Sequence, residues 1–213
     1  MNGTRGGNMS NIEIDSLDTL QYDVLKEIGN IGAGNATTAL SQLINSKIDM
    51  NVPKVALLEF KDLAEIVGGA EQQVVGILLS LEGDIQGDMM FMLGCDCAHS
   101  LVNILLGRNI KSSNEFTEMD ISALCEIGNI ITGAYLSSLS TLTQLYISSS
   151  VPNIAIDMAG AVLSVPAIEF GKMGDKALLI QSQFRDGEID VSGYFILIPT
   201  LESYKIIMES LGL

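Results

Sequence analysis

The sequence predicts an α+β fold written twice, with helices packed on a shared antiparallel or mixed sheet and the two halves related by a pseudo-twofold axis. Three observations carry this expectation. Residues recur at a constant offset of 99: Glu27-Ile28-Gly29-Asn30-Ile31 returns as Glu126-Ile127-Gly128-Asn129-Ile130, and Val52-Pro53 returns as Val151-Pro152. Strand patterns outnumber the helices available to cover both faces of a sheet, which favours α+β over a doubly wound fold. The segment between the halves, 107–116, is only ten residues long and rich in Asn, Ser and Lys. Two independent domains are the alternative arrangement. The expected organisation is a flexible leader over 1–16 and a single domain over 17–213, made of repeats at about 17–107 and 116–213.

Each half presents its elements in the same order. A helical pattern begins near Leu17, with apolar positions at Leu17, Leu20, Val24, Leu25, Ile28 and Ile31. Its counterpart carries Met119, Leu124, Ile127, Ile130 and Ile131. Asp18 with Gln21, and Thr117 with Asp120, stand where a helix begins. Each pair has a short side-chain oxygen followed three residues later by a group that reaches back, which predicts two capping boxes. A proline-led strand follows at 54–60 and 153–159, then a short apolar segment at 63–67 and 161–165. A hairpin comes next. Residues 74–81 turn through Glu82-Gly83-Asp84 into 85–93, and 177–184 turn through Asp186-Gly187 into 189–198; Gly with Asp is common hairpin chemistry. A closing helix ends each half, at 98–106 and 201–211.

Composition excludes several function classes. The chain has 213 residues, with 26 Asp and Glu against 11 Lys and Arg, for a formal net charge of −15. Phosphate backbones are neutralised by clustered Lys and Arg, and no such cluster occurs, which argues against nucleic acid and against anionic membrane surfaces. The mean hydropathy of +0.36 invites a membrane reading. No stretch of about 18 residues is both apolar and free of charge. The nearest candidate, 147–168, contains Pro152, Asp157 and Pro166. The first residues lack the apolar core of a signal peptide, and a cytoplasmic monomer is expected.

Three cysteines cannot all pair, and a cytoplasmic chain keeps them reduced. Cys95-Asp96-Cys97-Ala98-His99 matches no common zinc spacing, His99 is the only histidine, and no metal site is expected. Gly29, Gly32 and Gly34 are not in the order of a nucleotide loop and follow no strand. They read as close backbone packing. The ten methionines read as core filler, with Met89 and Met90 on a strand facing the helices.

The residues that carry chemistry are the duplicated Glu and Asn. Glu27 and Asn30 lie three apart on a helix and share one face, as do Glu126 and Asn129. Asp23 precedes the first pair by one turn and Ser122 the second. One such pair is an ordinary solvated helix face. Two in register are different, because Lys26 became Cys125 and Gly32-Ala33-Gly34-Asn35 became Ile131-Thr132-Gly133-Ala134. A carboxamide donates and accepts hydrogen bonds without ionising, so it positions water well. A carboxylate can hold a partner's Lys or Arg. With no adjacent His, nucleophile or metal, the pair suits the completion of another protein's phosphoryl-transfer site.

The pattern Asp23-x3-Glu27-x2-Asn30-x22-Pro53, repeated as Ser122-x3-Glu126-x2-Asn129-x22-Pro152, resembles the signature of the CheC family. Gly29-Asn30-Ile31-Gly32-Ala33-Gly34-Asn35-Ala36 resembles the family's first repeat, and the resemblance covers residues 17–213. The family comprises phosphatases of the phosphorylated chemotaxis response regulator CheY, with CheX and FliY as relatives; length and two intact pairs lie nearest CheC. The resemblance implies that Glu27, Asn30, Glu126 and Asn129 are catalytic, with Asp23, Pro53, Ser122 and Pro152 supporting them. It implies that Asn orients the attacking water and that Glu pairs with a receiver lysine. The receiver would bring the acyl phosphate and Mg²⁺, and this chain would bind no cofactor of its own. CheD, a receptor glutaminyl deamidase, is the second partner implied. The alternative function is a non-catalytic adaptor for CheD or a flagellar motor switch component.

Overall fold

The structure is a computed structural model and describes residues 18–44, 49–108, 115–170, 176–186 and 189–213. The expected leader and most of the linker lie outside these residues. The first half runs α1 (Thr19–Ile44), β1 (Asp49–Glu59), α2 (Phe60–Ile66), β2 (Gln73–Gly83), β3 (Gly87–Gly94) and α3 (Cys95–Leu105). The second runs α4 (Glu118–Thr143), β4 (Ile147–Ser149), β5 (Asn153–Met158), α5 (Ala159–Phe170), β6 (Lys176–Asp186), β7 (Ile189–Pro199) and α6 (Leu201–Ser210).

All seven strands form one antiparallel sheet in the order β1-β6-β7-β3-β2-β4, with β5 also on β2. The hairpins β2–β3 and β6–β7 occupy the middle and meet at β3–β7, where Phe91 faces Phe195. Each outer position is taken by the other half's first strand: β1 pairs with β6, while β4 and β5 pair with β2. If the halves are exchanged, the strand order reads the same from either end. This exchange makes the sheet common to both repeats.

Side chains alternate across the sheet, as the two-residue period of a strand requires. On β3, Met89, Phe91 and Leu93 enter the larger core under α1, α3, α4 and α6. Met90 and Met92 enter the smaller core under α2 and α5. Met89 and Met90 therefore face helices on opposite sides of the sheet.

Two expectations need correction, and the short apolar segments gain an assignment. Residues 63–66 and 161–165 lie in helices, α2 and α5, which bury Leu63, Ala64, Val162 and Leu163 against the far face. Segments this short do not span enough turns for periodicity to separate helix from strand. The first proline does not lead its strand: β1 begins at Asp49, and Pro53 falls at a register shift between Asn51 and Lys54. β1 is an outer strand, where a residue without an N–H is tolerated. In the second half the strand is interrupted after β4, and Pro152 directly precedes β5. Finally, Leu20 and Met119 are 60% and 62% exposed, although periodicity places them inward.

Both capping boxes form. The Asp18 carboxylate accepts from the Gln21 N–H at 2.8 Å, and the Gln21 amide oxygen accepts from the Asp18 N–H at 3.1 Å. The Thr117 hydroxyl accepts from the Asp120 N–H, and the Asp120 carboxylate accepts from the Thr117 N–H at 2.9 Å. The first hairpin turns at Gly83, whose φ of +109° suits glycine. Asp84 in the same turn accepts from the Tyr146 N–H at 2.7 Å, which ties the turn to the second half.

Candidate functional site

The helices α1 and α4 carry the duplicated pair and pack on one another across the sheet. Each is seated by a glycine. A Cβ on Gly29 would lie 3.3 Å from Ile180 and 3.4 Å from Val52, and one on Gly128 would lie 2.7 Å from Ile77. A Cβ on Gly32 would lie 2.6 Å from the Tyr135 ring, so α1 presses against α4 there. Tyr135 in turn stacks on Phe195 with centroids 4.3 Å apart. Asn35 Nδ2 donates to Ser138 Oγ at 3.3 Å, a polar link between the two helices. The packing explanation holds for Gly29 and Gly32; Gly34 has nothing within 4 Å of where a Cβ would stand.

Ile28 and Ile127 point inward and are buried. Their neighbours Glu27, Asn30, Glu126 and Asn129 are all exposed, as are Asp23 and Ser122. The three-residue spacing sets each Glu and Asn about 60° apart around the helix axis. Each pair therefore stands on a convex helix face backed by a rigid sheet. The prolines sit differently. Val52, beside Pro53 in β1, packs beneath Gly29, which gives the spacing between Asn30 and Pro53 a structural meaning. Val151, beside Pro152, is 80% exposed, and Ile77 takes its place beneath Gly128.

The N-terminus of α4 is held by more than its capping box. Arg108 Nη2 donates to the buried Asp120 carboxylate, and the His99 ring stacks on Phe116 at 3.9 Å with 4° between planes. Arg108 was missed in the sequence; its link to Asp120 spans the segment between the halves and leaves no periodic signal. His99 Nε2 and Thr132 Oγ1 are buried without a hydrogen-bond partner among the described residues. Burial raises the Cys125 thiol above its ordinary value. Burial, followed by the charge of Asp96, does the same for Cys95, so both thiols are held in their less reactive neutral form. Among the described residues no three His, Cys, Asp or Glu side chains converge as metal ligands, and no helix is long and apolar enough to cross a membrane.

A narrow apolar cleft lies between α1, the sheet and α6. Its walls include Leu25, Ile28, Tyr135, Phe195, Tyr204 and Met208. It is apolar and lies on the inner side of α1, away from the exposed pair. Of the two sites, only the helix faces bring a carboxylate and a carboxamide together.

The family model described as the CheC-like family matches residues 20–57 and 119–156, the segments that contain both pairs. Over 196 residues the chain is 37% identical to the CheY-P phosphatase CheC of Bacillus subtilis, covering 90% of this chain and 94% of that one. The chain belongs to the CheC-like family. The flagellar motor switch phosphatase FliY of B. subtilis is 26% identical over 68% of this chain and 38% of its own length. Among solved structures, Thermotoga maritima FliY superposes with a TM-score of 0.75 at 21% identity, covering 92% of this chain and 98% of that one. The FliM middle domain of H. pylori gives 0.65 at 11% identity, covering 91% and 99%. These superpositions place the family fold on an internally duplicated, helix-backed sheet.

Proposed function

We propose that this chain is a cytoplasmic, monomeric phosphatase of the phosphorylated CheY receiver, with one working site on α1 and another on α4. The observation that carries the reading is the display of two Glu-x2-Asn pairs, in register and exposed, in a chain 37% identical to a protein named CheY-P phosphatase. A convex helix face can enter a partner's recessed site, whereas the apolar cleft offers no group for hydrolysis.

The chemistry follows from the side chains. The receiver supplies the acyl phosphate, a lysine and its own Mg²⁺. Asn30 or Asn129 enters beside the phosphoryl group, and its amide holds a water in line with the bond to be broken. The water oxygen bonds to phosphorus as the bond to the aspartyl oxygen breaks, and the water's proton passes to the phosphate formed. Inorganic phosphate and the free aspartate leave. Glu27 or Glu126 pairs with the receiver lysine and fixes the amide over the phosphorus. Fixing geometry suits phosphoryl transfer, in which positioning and electrostatics supply most of the acceleration. Asp23 and Ser122 flank the pairs one turn earlier. Pro53 supports the seating of α1 through its neighbour Val52, and Pro152 starts β5.

The test is the decay of phospho-CheY. Asn30→Ala plus Asn129→Ala abolishes the acceleration, and each single variant retains part of it. Acceleration retained by the double variant would overturn the mechanism.

A second reading, an adaptor for CheD or a switch component, is favoured by one separate feature. Val165 and Ile168 on α5 are exposed apolar side chains, and exposed apolar surface suits a protein partner. Capture of CheD without any effect on phospho-CheY lifetime would select this reading over the first.

A further inference from the structure

Most glycines of the two long helices have a packing reason, and two do not. Gly29, Gly32 and Gly128 would each push a Cβ into a neighbouring side chain. Gly34 and Gly133 would place a Cβ in open space, with nothing within 4 Å. Both lie in helix interiors, where glycine is the poorest residue after proline. They occupy the same register at the offset of 99, while the flanking Gly32, Ala33 and Asn35 became Ile131, Thr132 and Ala134. The fold gives no account of them.

Their position does. Residues 20, 23, 27, 30 and 34 advance by alternating steps of three and four, and so do 119, 122, 126, 129 and 133. Such steps keep side chains on one helix face. All ten positions are exposed. Each stripe runs from a large apolar residue, Leu20 or Met119, through the Glu and Asn to a glycine. It spans roughly 21 Å of helix at 1.5 Å per residue.

We propose that each stripe is the docking strip for the phosphorylated receiver domain, with Gly34 or Gly133 as the point where the receiver's backbone lies against the helix. This rests on the phosphatase reading above. An amide that enters a recessed acyl-phosphate site brings the rim of that site against the helix one turn away. Gly34 is one turn beyond Asn30, and Gly133 one turn beyond Asn129. A side chain there would crowd the rim and weaken docking, while a receiver that does dock still meets the amide. Leu20 and Met119 cover apolar surface at the other end of the strip.

The experiment compares Gly34→Ala plus Gly133→Ala, and Gly34→Gln plus Gly133→Gln, with the parent chain. Thermal melting, the KM and kcat for phospho-CheY decay, and the affinity for phospho-CheY are measured. The Ala variant melts higher, since alanine is the better helix former and fills empty space. The Gln variant raises KM and weakens affinity by about tenfold or more with little change in kcat, the signature of lost binding shared by ground and transition states. Unchanged KM and affinity in the Gln variant would overturn the strip, and so would a lower melting temperature in the Ala variant. Asn30→Ala plus Asn129→Ala is run in parallel. If it loses activity while the glycine variants keep their affinity, the strip fails and the phosphatase mechanism stands. If it keeps activity, the mechanism fails, and the affinity measurement still decides the strip.

Discussion

The α1 and α4 sites carry the same Glu and Asn on the same kind of helix, yet they are mounted differently. The cap of α1, Asp18 with Gln21, is exposed. The cap of α4 is built on a buried Asp120, which also accepts from Arg108, and Phe116 beside it stacks on His99. A Cβ on Gly29 would be tight against Ile180 at 3.3 Å, whereas one on Gly128 would clash with Ile77 at 2.7 Å. Asp23 and Lys26 flank the first pair, and Ser122 and Cys125 flank the second. The duplicated chemistry thus sits on one helix held firmly and on one held lightly. The Glu and Asn have kept their identity while the contacts that cap and seat the two helices have diverged.

The largest expected difference lies at the caps. Asp120→Ala removes the acceptor of the Thr117 N–H and hydroxyl and leaves Arg108 without that carboxylate. A buried, hydrogen-bonded charge lost in this way costs about 2–4 kcal/mol. Asp18→Ala removes one exposed cap, a loss of about 1 kcal/mol. Denaturant unfolding of the two variants checks the comparison, and equal losses would show that the extra contacts of α4 contribute nothing. Activity sharpens it further: if Asn30 and Asn129 work as proposed, Asp120→Ala in an Asn30→Ala background lowers phosphatase activity more than Asp18→Ala does in an Asn129→Ala background.

The next difference lies at the helix seats. Alanine improves helix propensity over glycine by up to about 1 kcal/mol, while overpacking a core costs about 1–3 kcal/mol. At Gly29 the neighbour must move only a few tenths of an ångström, and Gly29→Ala is close to neutral. At Gly128 the added carbon meets a β-branched, fully buried Ile77, and Gly128→Ala destabilises by about 1–2 kcal/mol. Melting temperatures of the two variants decide this, and a stable Gly128→Ala protein would show that α4 can lift off the sheet without penalty.

These contrasts mark what was legible in the sequence. Helix caps and the Glu–Asn pairs depend on residues three or four apart, so their chemistry is written locally and both copies could be placed. The shared antiparallel sheet was legible through the repeat. The exchange of β1 and β5 between halves was not, because pairing partners a hundred residues apart leave no periodic trace. The helix α2 was not assigned because two turns cannot show a period, and α5 because it is apolar nearly all round and carries Pro166 in its interior. Arg108 was missed because its partner is chosen by tertiary packing. Leu20 and Met119 were placed inward because periodicity assumes that apolar residues face the core, an assumption that fails on a face used for something else.

The smallest expected difference is electrostatic. Asp23 stands one turn before Glu27 and adds a second carboxylate to the first strip, while Ser122 leaves Glu126 as the carboxylate of the second. If each Glu receives a receiver lysine, the α1 site attracts that lysine from further away. Exposed charges of this kind contribute less than about 1 kcal/mol and are screened within about 10 Å at 0.1 M salt. In a chain whose α4 site is silenced by Asn129→Ala, raising the salt therefore increases the KM for phospho-CheY. Asp23→Ser flattens that dependence and leaves kcat unchanged. In the reciprocal chain with Asn30→Ala, Ser122→Asp steepens it. A salt response indifferent to both exchanges would mean that the residue one turn before the Glu does not face the lysine, and that the two strips differ only in how their helices are held.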